Sequence, residues 1–114
     1  MVAVIFEVTP RENCTDAYLA IAASLKPQLE TFDGFISIER FQSLSEPRKL
    51  LSLSFWRDEE AVAAWRRVED HRQAQMTGRT QLFDSYRLRI AAVIRDYTMT
   101  ERAEAPADSR AIHG

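Results

Sequence analysis

The middle of the chain leaves the fewest options. "FISIERFQSL" (35–44) and "LLSLSFW" (50–56) both alternate in the manner of strands, and only "SEPRK" separates them. Two such runs joined by a short polar connection pair as an antiparallel hairpin. In the second run Leu51, Leu53 and Phe55 fall on one face, and Ser52 and Ser54 on the other. The first run divides less cleanly: Phe35, Ser37, Glu39 and Phe41 oppose Ile36, Ile38, Arg40 and Gln42.

Each side of the hairpin carries one more strand and one more helix. "VAVIFEVT" (Val2 to Thr9) is β-branched and aromatic and stops at Pro10. Asn13, Thr15 and Asp16 then offer helix N-caps. From Asp16 to Glu30 the apolar residues Tyr18, Ile21, Leu25 and Leu29 recur at helical spacing. Pro27 should kink that helix or loosen its last turn. Beyond the hairpin, Asp58 is the expected N-cap of a second helix, with Glu59 and Glu60 at its positive end and Val62, Trp65 and Val68 as its stripe. "EDHRQAQMTGR" reads as a further helical piece ending at Gly78. A long strand to Tyr97 follows, with Leu88 and Ile90 on one face, Arg87 and Arg89 on the other, and room for a bulge along it.

The order β-α-β-β-α-β predicts an α+β, ferredoxin-like fold, a four-stranded antiparallel sheet with both helices on one face. Residues 1–97 are the expected domain, and 98–114 a tail that is flexible or reaches across a dimer; His113 within it is assigned no role. Apolar residues on both sheet faces call for a homodimer through the uncovered face. The net charge of −2 speaks against a nucleic-acid partner. The single cysteine, Cys14, excludes an internal disulfide and is expected to be a small, half-buried residue. No apolar run reaches membrane length, and "MVAVIFEVTP" lacks the basic start of a signal peptide, so the expected location is the cytoplasm.

On "DGFISIERFQS", "KLLSLSFWRDEEAVAAWR", "HRQAQMTGR" and "YRLRIAAVIRDY", the chain resembles the antibiotic biosynthesis monooxygenase family, within the dimeric α/β-barrel proteins. The resemblance implies a homodimer with a pocket between sheet and helices in each protomer. It also implies oxidation of a small aromatic or quinol-like compound by O₂, with no metal and no organic cofactor. Some relatives degrade haem, with an axial His about ten residues after the helix-two Trp. Counting from Trp65 that position is Gln75, and the first strand carries Glu7 in place of an Asn. Both departures disfavour haem here.

The chemistry needs a base for the substrate proton, a cation for the resulting oxyanion, and a dry pocket. His71 is the candidate base. Arg79 is the candidate anion stabiliser, with Arg72 beside the substrate and Trp65 and Phe83 as an aromatic wall. Glu7 is a further base, or else a structural partner of an Arg on the last strand. Plainer readings stand next to these. Trp65 also fits simple core packing, Arg66, Arg67 and Arg72 a solvated helix face, Arg79 a bond to helix-end carbonyls, and His71 a backbone contact. Glu69 and Asp70 do not converge with His71 on a metal, because neighbouring helical residues diverge by about 100°. The competing functions are a non-catalytic, small-ligand-binding or stress-associated dimeric module and, third, a haem-binding or haem-degrading protein.

Overall fold

The computed structural model describes the backbone from Met1 to Gly114 and the side-chain surroundings of all residues except Glu69, Asp70, His71 and Gly78. The strands are β1 (Val2–Pro10), β2 (Phe35–Gln42), β3 (Leu50–Trp56) and β4 (Phe83–Ala92). The helices are α1 (Thr15–Glu30), α2 (Glu59–Arg66), α3 (Glu69–Thr77) and α4 (Ala107–His113), and a π-helical turn, Gly78–Leu82, joins α3 to β4. The strands form one antiparallel sheet in the order β2-β3-β1-β4. This is the ferredoxin-like arrangement that the central hairpin foretold.

The register builds rows of side chains across the helix-covered face. One row is Phe35, Trp56, Val2 and Ala92; the next is Ile38, Ser54, Val4 and Ile90; the third is Arg40, Ser52, Phe6 and Leu88. A bulge in β2 makes the first row possible. Two residues, Ile36 and Ser37, oppose the single residue Phe55, so Phe35 and Ile38 both turn inward while Ile36 is left exposed. The uneven alternation of "FISIERFQ" is that extra residue.

α1 starts one residue earlier than expected. Its N-cap is Cys14, which makes no side-chain cap bond, and Asn13 takes a left-handed turn at φ 66°. The helix runs through Pro27 without ending. Its exit is tightened: the amide of Phe32 donates to the carbonyl of Leu29, and the Thr31 hydroxyl to that of Gln28. Asp58 caps α2 as expected, accepting from the Ala61 amide at 2.9 Å. α2 packs close to the turn before β2. Gly34, at φ +89°, lies so near Ala61 that a β-carbon there would meet the Ala61 methyl at 2.4 Å.

The core gathers Leu29, Trp56, Ala61, Val62 and Trp65, with Phe32 and Phe35 packed against them. β4 ends at Ala92, short of Tyr97, and its register shift lies at its start, opposite Thr9 and Pro10. The final segment carries α4 and a hydrogen-bonded loop of its own. Arg102 organises it, with its guanidinium 5.5 Å from the Tyr97 ring centre and bonded to the carbonyls of Thr98 and Gly114 and to the Ser109 hydroxyl. The molecule is elongated, 51 × 34 × 20 Å, and its radius of gyration of 16.5 Å exceeds the roughly 13 Å of a compact chain of this length.

Candidate functional site

A cavity of about 220 Å³ lies between the sheet and the helices. Its position follows from β3. The row through Trp56 is filled by aromatic rings: Phe32, Phe35 and Trp65 all lie within 6.4 Å of Trp56 or of one another, centre to centre. A second aromatic group, Phe6, Tyr18, Phe83 and Tyr86, closes the other end at 5.5–6.1 Å. Between the two, β3 presents Ser54 and Ser52 where a packed core would carry Leu or Ile. Their small side chains leave the gap, and Ile21, Ala22, Leu25 and Ile90 wall it.

The serines settle which face of β3 is covered. The face with Leu51, Leu53 and Phe55 is the outer one, half-exposed, and the serine face is the one the helices bury. Ser52 is 8% exposed and Ser54 6%. They are not equivalent. The Ser54 hydroxyl accepts from the indole nitrogen of Trp56 at 2.9 Å. The Ser52 hydroxyl has no hydrogen-bond partner among the described residues, and neither has that of Tyr18, which is also buried. Unpaired buried hydroxyls on a cavity wall are what a ligand's polar atoms satisfy.

Trp65 and Phe83, the expected aromatic wall, both line the cavity, one in each aromatic group. Trp65 is 6% exposed, so it serves packing as well. The other candidates lie elsewhere. Arg79 stands outside the lining with its guanidinium over the Tyr86 ring at 5.9 Å, because the π-helical turn carries it past the mouth. Arg72 is exposed and donates to the Arg66 carbonyl at 3.4 Å. Glu7 is a correction: β1 alternation puts it on the outer face, opposite the cavity, where it pairs with Arg89 at 3.4 Å and Lys49 at 3.8 Å. The structural alternative, an Arg partner on the last strand, is the arrangement found. The side chain of His71 lies outside the described residues.

Sequence reasoning passed over Arg40 and Arg66. Both line the cavity and both are exposed, which puts them at its opening. Arg66 was read as part of a solvated face, and Arg40 shares the face of Ile38, which alternation alone does not mark as the covered one. Gln75, also on the wall, is the position at which haem-degrading relatives carry a His. An amide is not an axial iron ligand. Among the described residues the cavity wall holds no His, Cys or Met to ligate a haem iron. Among the described residues no three His, Cys, Asp or Glu side chains cluster as metal ligands.

The model of the family described as antibiotic biosynthesis monooxygenase matches residues 1–77. The chain belongs to the antibiotic biosynthesis monooxygenase family. A protein of Pyricularia oryzae named jasmonate monooxygenase ABM is 48% identical over 93 residues, which are 82% of this chain and 43% of that protein. The chain thus spans less than half the length of that relative. YqjZ of Bacillus subtilis is 28% identical over 99 residues, covering 87% of this chain and 84% of its own. Among solved structures, Rv0793 of Mycobacterium tuberculosis superposes with a TM-score of 0.76 at 18% identity, over 85% of this chain and 98% of that one. At that identity the likeness speaks for the fold. No helix of the chain is long and apolar enough to cross a membrane, among the residues described.

Proposed function

We propose that the chain is a monooxygenase domain whose cavity encloses a small, apolar-bodied compound and transfers one atom of O₂ to it. The observation that carries this reading is the gap left by Ser52 and Ser54 between two aromatic groups, in a member of this family. Apolar walls exclude water from a carbanion or phenolate, and this keeps its electrons for O₂.

The substrate class is an aromatic phenol, quinol or anthrone that supplies its own electrons. For an activated methylene, a base removes one proton, the carbanion reduces O₂, and a C–O bond forms as a hydroperoxide. Loss of water then leaves a carbonyl. One CH₂ and one O₂ give one C=O and one H₂O, with four electrons passing from carbon to oxygen. His71 takes the base role on its chemistry, since a neutral imidazole is suited to accept a proton near pH 7. The anion-stabilising role moves from Arg79 to groups of the wall, with the Tyr18 hydroxyl as donor. A second copy of the chain covers the outer sheet face.

Jasmonate, in the name of the fungal relative, is a second candidate. Hydroxylating its saturated C–H bonds follows a different balance: RH, O₂, two electrons and two protons give ROH and H₂O, so a two-electron reductant must be supplied. Oxygen uptake therefore separates the two classes. Purified protein with anthrones or naphthols should consume one O₂ per substrate without reductant. His71→Ala should lower the rate by about 10²-fold or more. If no compound of either class, with or without a flavin or nicotinamide reductant, draws O₂ above the buffer rate, the domain is a binding module and this reading is wrong.

A further inference from the structure

The charge of the cavity opens a question that its apolar walls do not. The protein as a whole carries −2. Among the described residues lining the cavity, the charged groups are Arg40 and Arg66, and no carboxylate accompanies them. Neither guanidinium takes part in any of the six ion pairs formed among the described residues, although Arg48, Arg57 and Arg89 do. Two cations with no ion-pair partner among the described residues thus stand at the rim of an apolar hole.

Their placement has a direction. Arg40 faces Ser52 across the β2–β3 ladder, and Ser52 faces Phe6 across β3–β1. Directly opposed side chains of one face start about 5 Å apart. The row therefore runs from a guanidinium on the edge strand, past the buried Ser52 hydroxyl, to an aromatic ring. Arg66 approaches the same cavity from the C-terminal end of α2. At the far end Tyr18, edge-on to Phe83 at 5.5 Å, adds a second hydroxyl that no described residue pairs.

We propose that the cavity selects a small organic anion. Its acid group lies at the mouth between Arg40 and Arg66 within reach of the Ser52 hydroxyl. Its apolar body lies over Phe6 and Val4, and a carbonyl or hydroxyl at its far end meets Tyr18. The proposal rests on reading this cavity as the substrate site, and it narrows the substrate to carboxylates and comparable acids. A guanidinium is the side chain suited to that group, because its forked donors match two carboxylate oxygens.

Calorimetric titration with matched acid and ester pairs tests it: 2-naphthoate against methyl 2-naphthoate, and jasmonate against methyl jasmonate. The acid of at least one pair should bind about tenfold more tightly than its ester, and added salt should erode that margin. Arg40→Gln and Arg66→Gln should each shrink the margin while leaving ester affinity unchanged. Ser52→Leu, which fills the gap, should abolish binding of both members. Equal affinity for acid and ester overturns the proposal, as does equal loss of both in the arginine variants, or no binding at all in protein whose circular dichroism is that of a folded α+β chain. Oxygen uptake is read separately. Acid-selective binding without turnover keeps the anion site and removes the monooxygenase reading. Turnover of neutral quinols with no acid preference does the reverse.

Discussion

Ser52 and Ser54 sit two positions apart on one strand and face the same way, yet they answer to different demands. Ser54 satisfies the buried indole N–H of Trp56. Ser54→Ala leaves that donor unpaired and should cost about 1–3 kcal/mol in chemical denaturation. Ser52→Ala removes a hydroxyl that no described residue uses, so stability should stay within about 0.5 kcal/mol. Equal losses in the two variants would mean that Ser52 has a structural partner. This distinction was not legible in the sequence. Alternation in "LLSLSFW" separates leucines from serines, but it does not say which set the helices cover. When both faces of a sheet have apolar residues, the more apolar face need not be the one under the helices. Trp65 and Phe83 were legible because aromatic residues on a stripe or at a strand start pack inward under either reading.

At the scale of elements, α2 is held at its start by charge and shape. The amide of Ala61 holds the Asp58 carboxyl below the usual carboxylate range, and Arg57 adds to the effect. A lowered acid contributes stability that is full above its unfolded value and is lost as pH falls through the folded one. The stability gap between wild type and Asp58→Ala should therefore be constant from pH 7 down to about 5 and narrow below about 4. A gap that widens in acid would contradict this. Gly34 fixes how closely α2 approaches. Gly34→Ala adds about 1–2 kcal/mol for the left-handed backbone and about 1–3 for crowding Ala61, and it should lower the melting temperature by several degrees. The stripe of α1 and the cap of α2 could be read directly, since each depends on local spacing. The faces of β2 and the position of Arg79 could not. One depends on a bulge and the other on a π-helical turn, and each shifts the count by a residue that periodicity cannot see.

The whole molecule leaves one sheet face uncovered. Leu51, Leu53 and Phe55 are half-exposed there, Phe41 is 43% exposed, and the Glu7, Lys49 and Arg89 cluster lies among them. A second copy would bury this face, and the elongated shape gives residues 93–114 the reach to lie along a partner. Sedimentation should report a dimer at micromolar concentration. Leu53→Asp should convert it to monomer while the circular dichroism of the sheet is kept. A wild-type monomer at those concentrations would refute the arrangement. The need for cover was visible in the sequence as apolar residues on two faces. The loop around Arg102 was not, because its cohesion comes from one guanidinium binding backbone carbonyls and not from an apolar pattern.

The chain has only two tryptophans, and both Trp56 and Trp65 line the cavity. Indole emission responds to the polarity and the quenchers next to the ring. All the tryptophan emission of the protein therefore originates at the wall of this cavity. Occupancy should be readable as an optical signal with no label attached, from the same two rings whose packing keeps the cavity open.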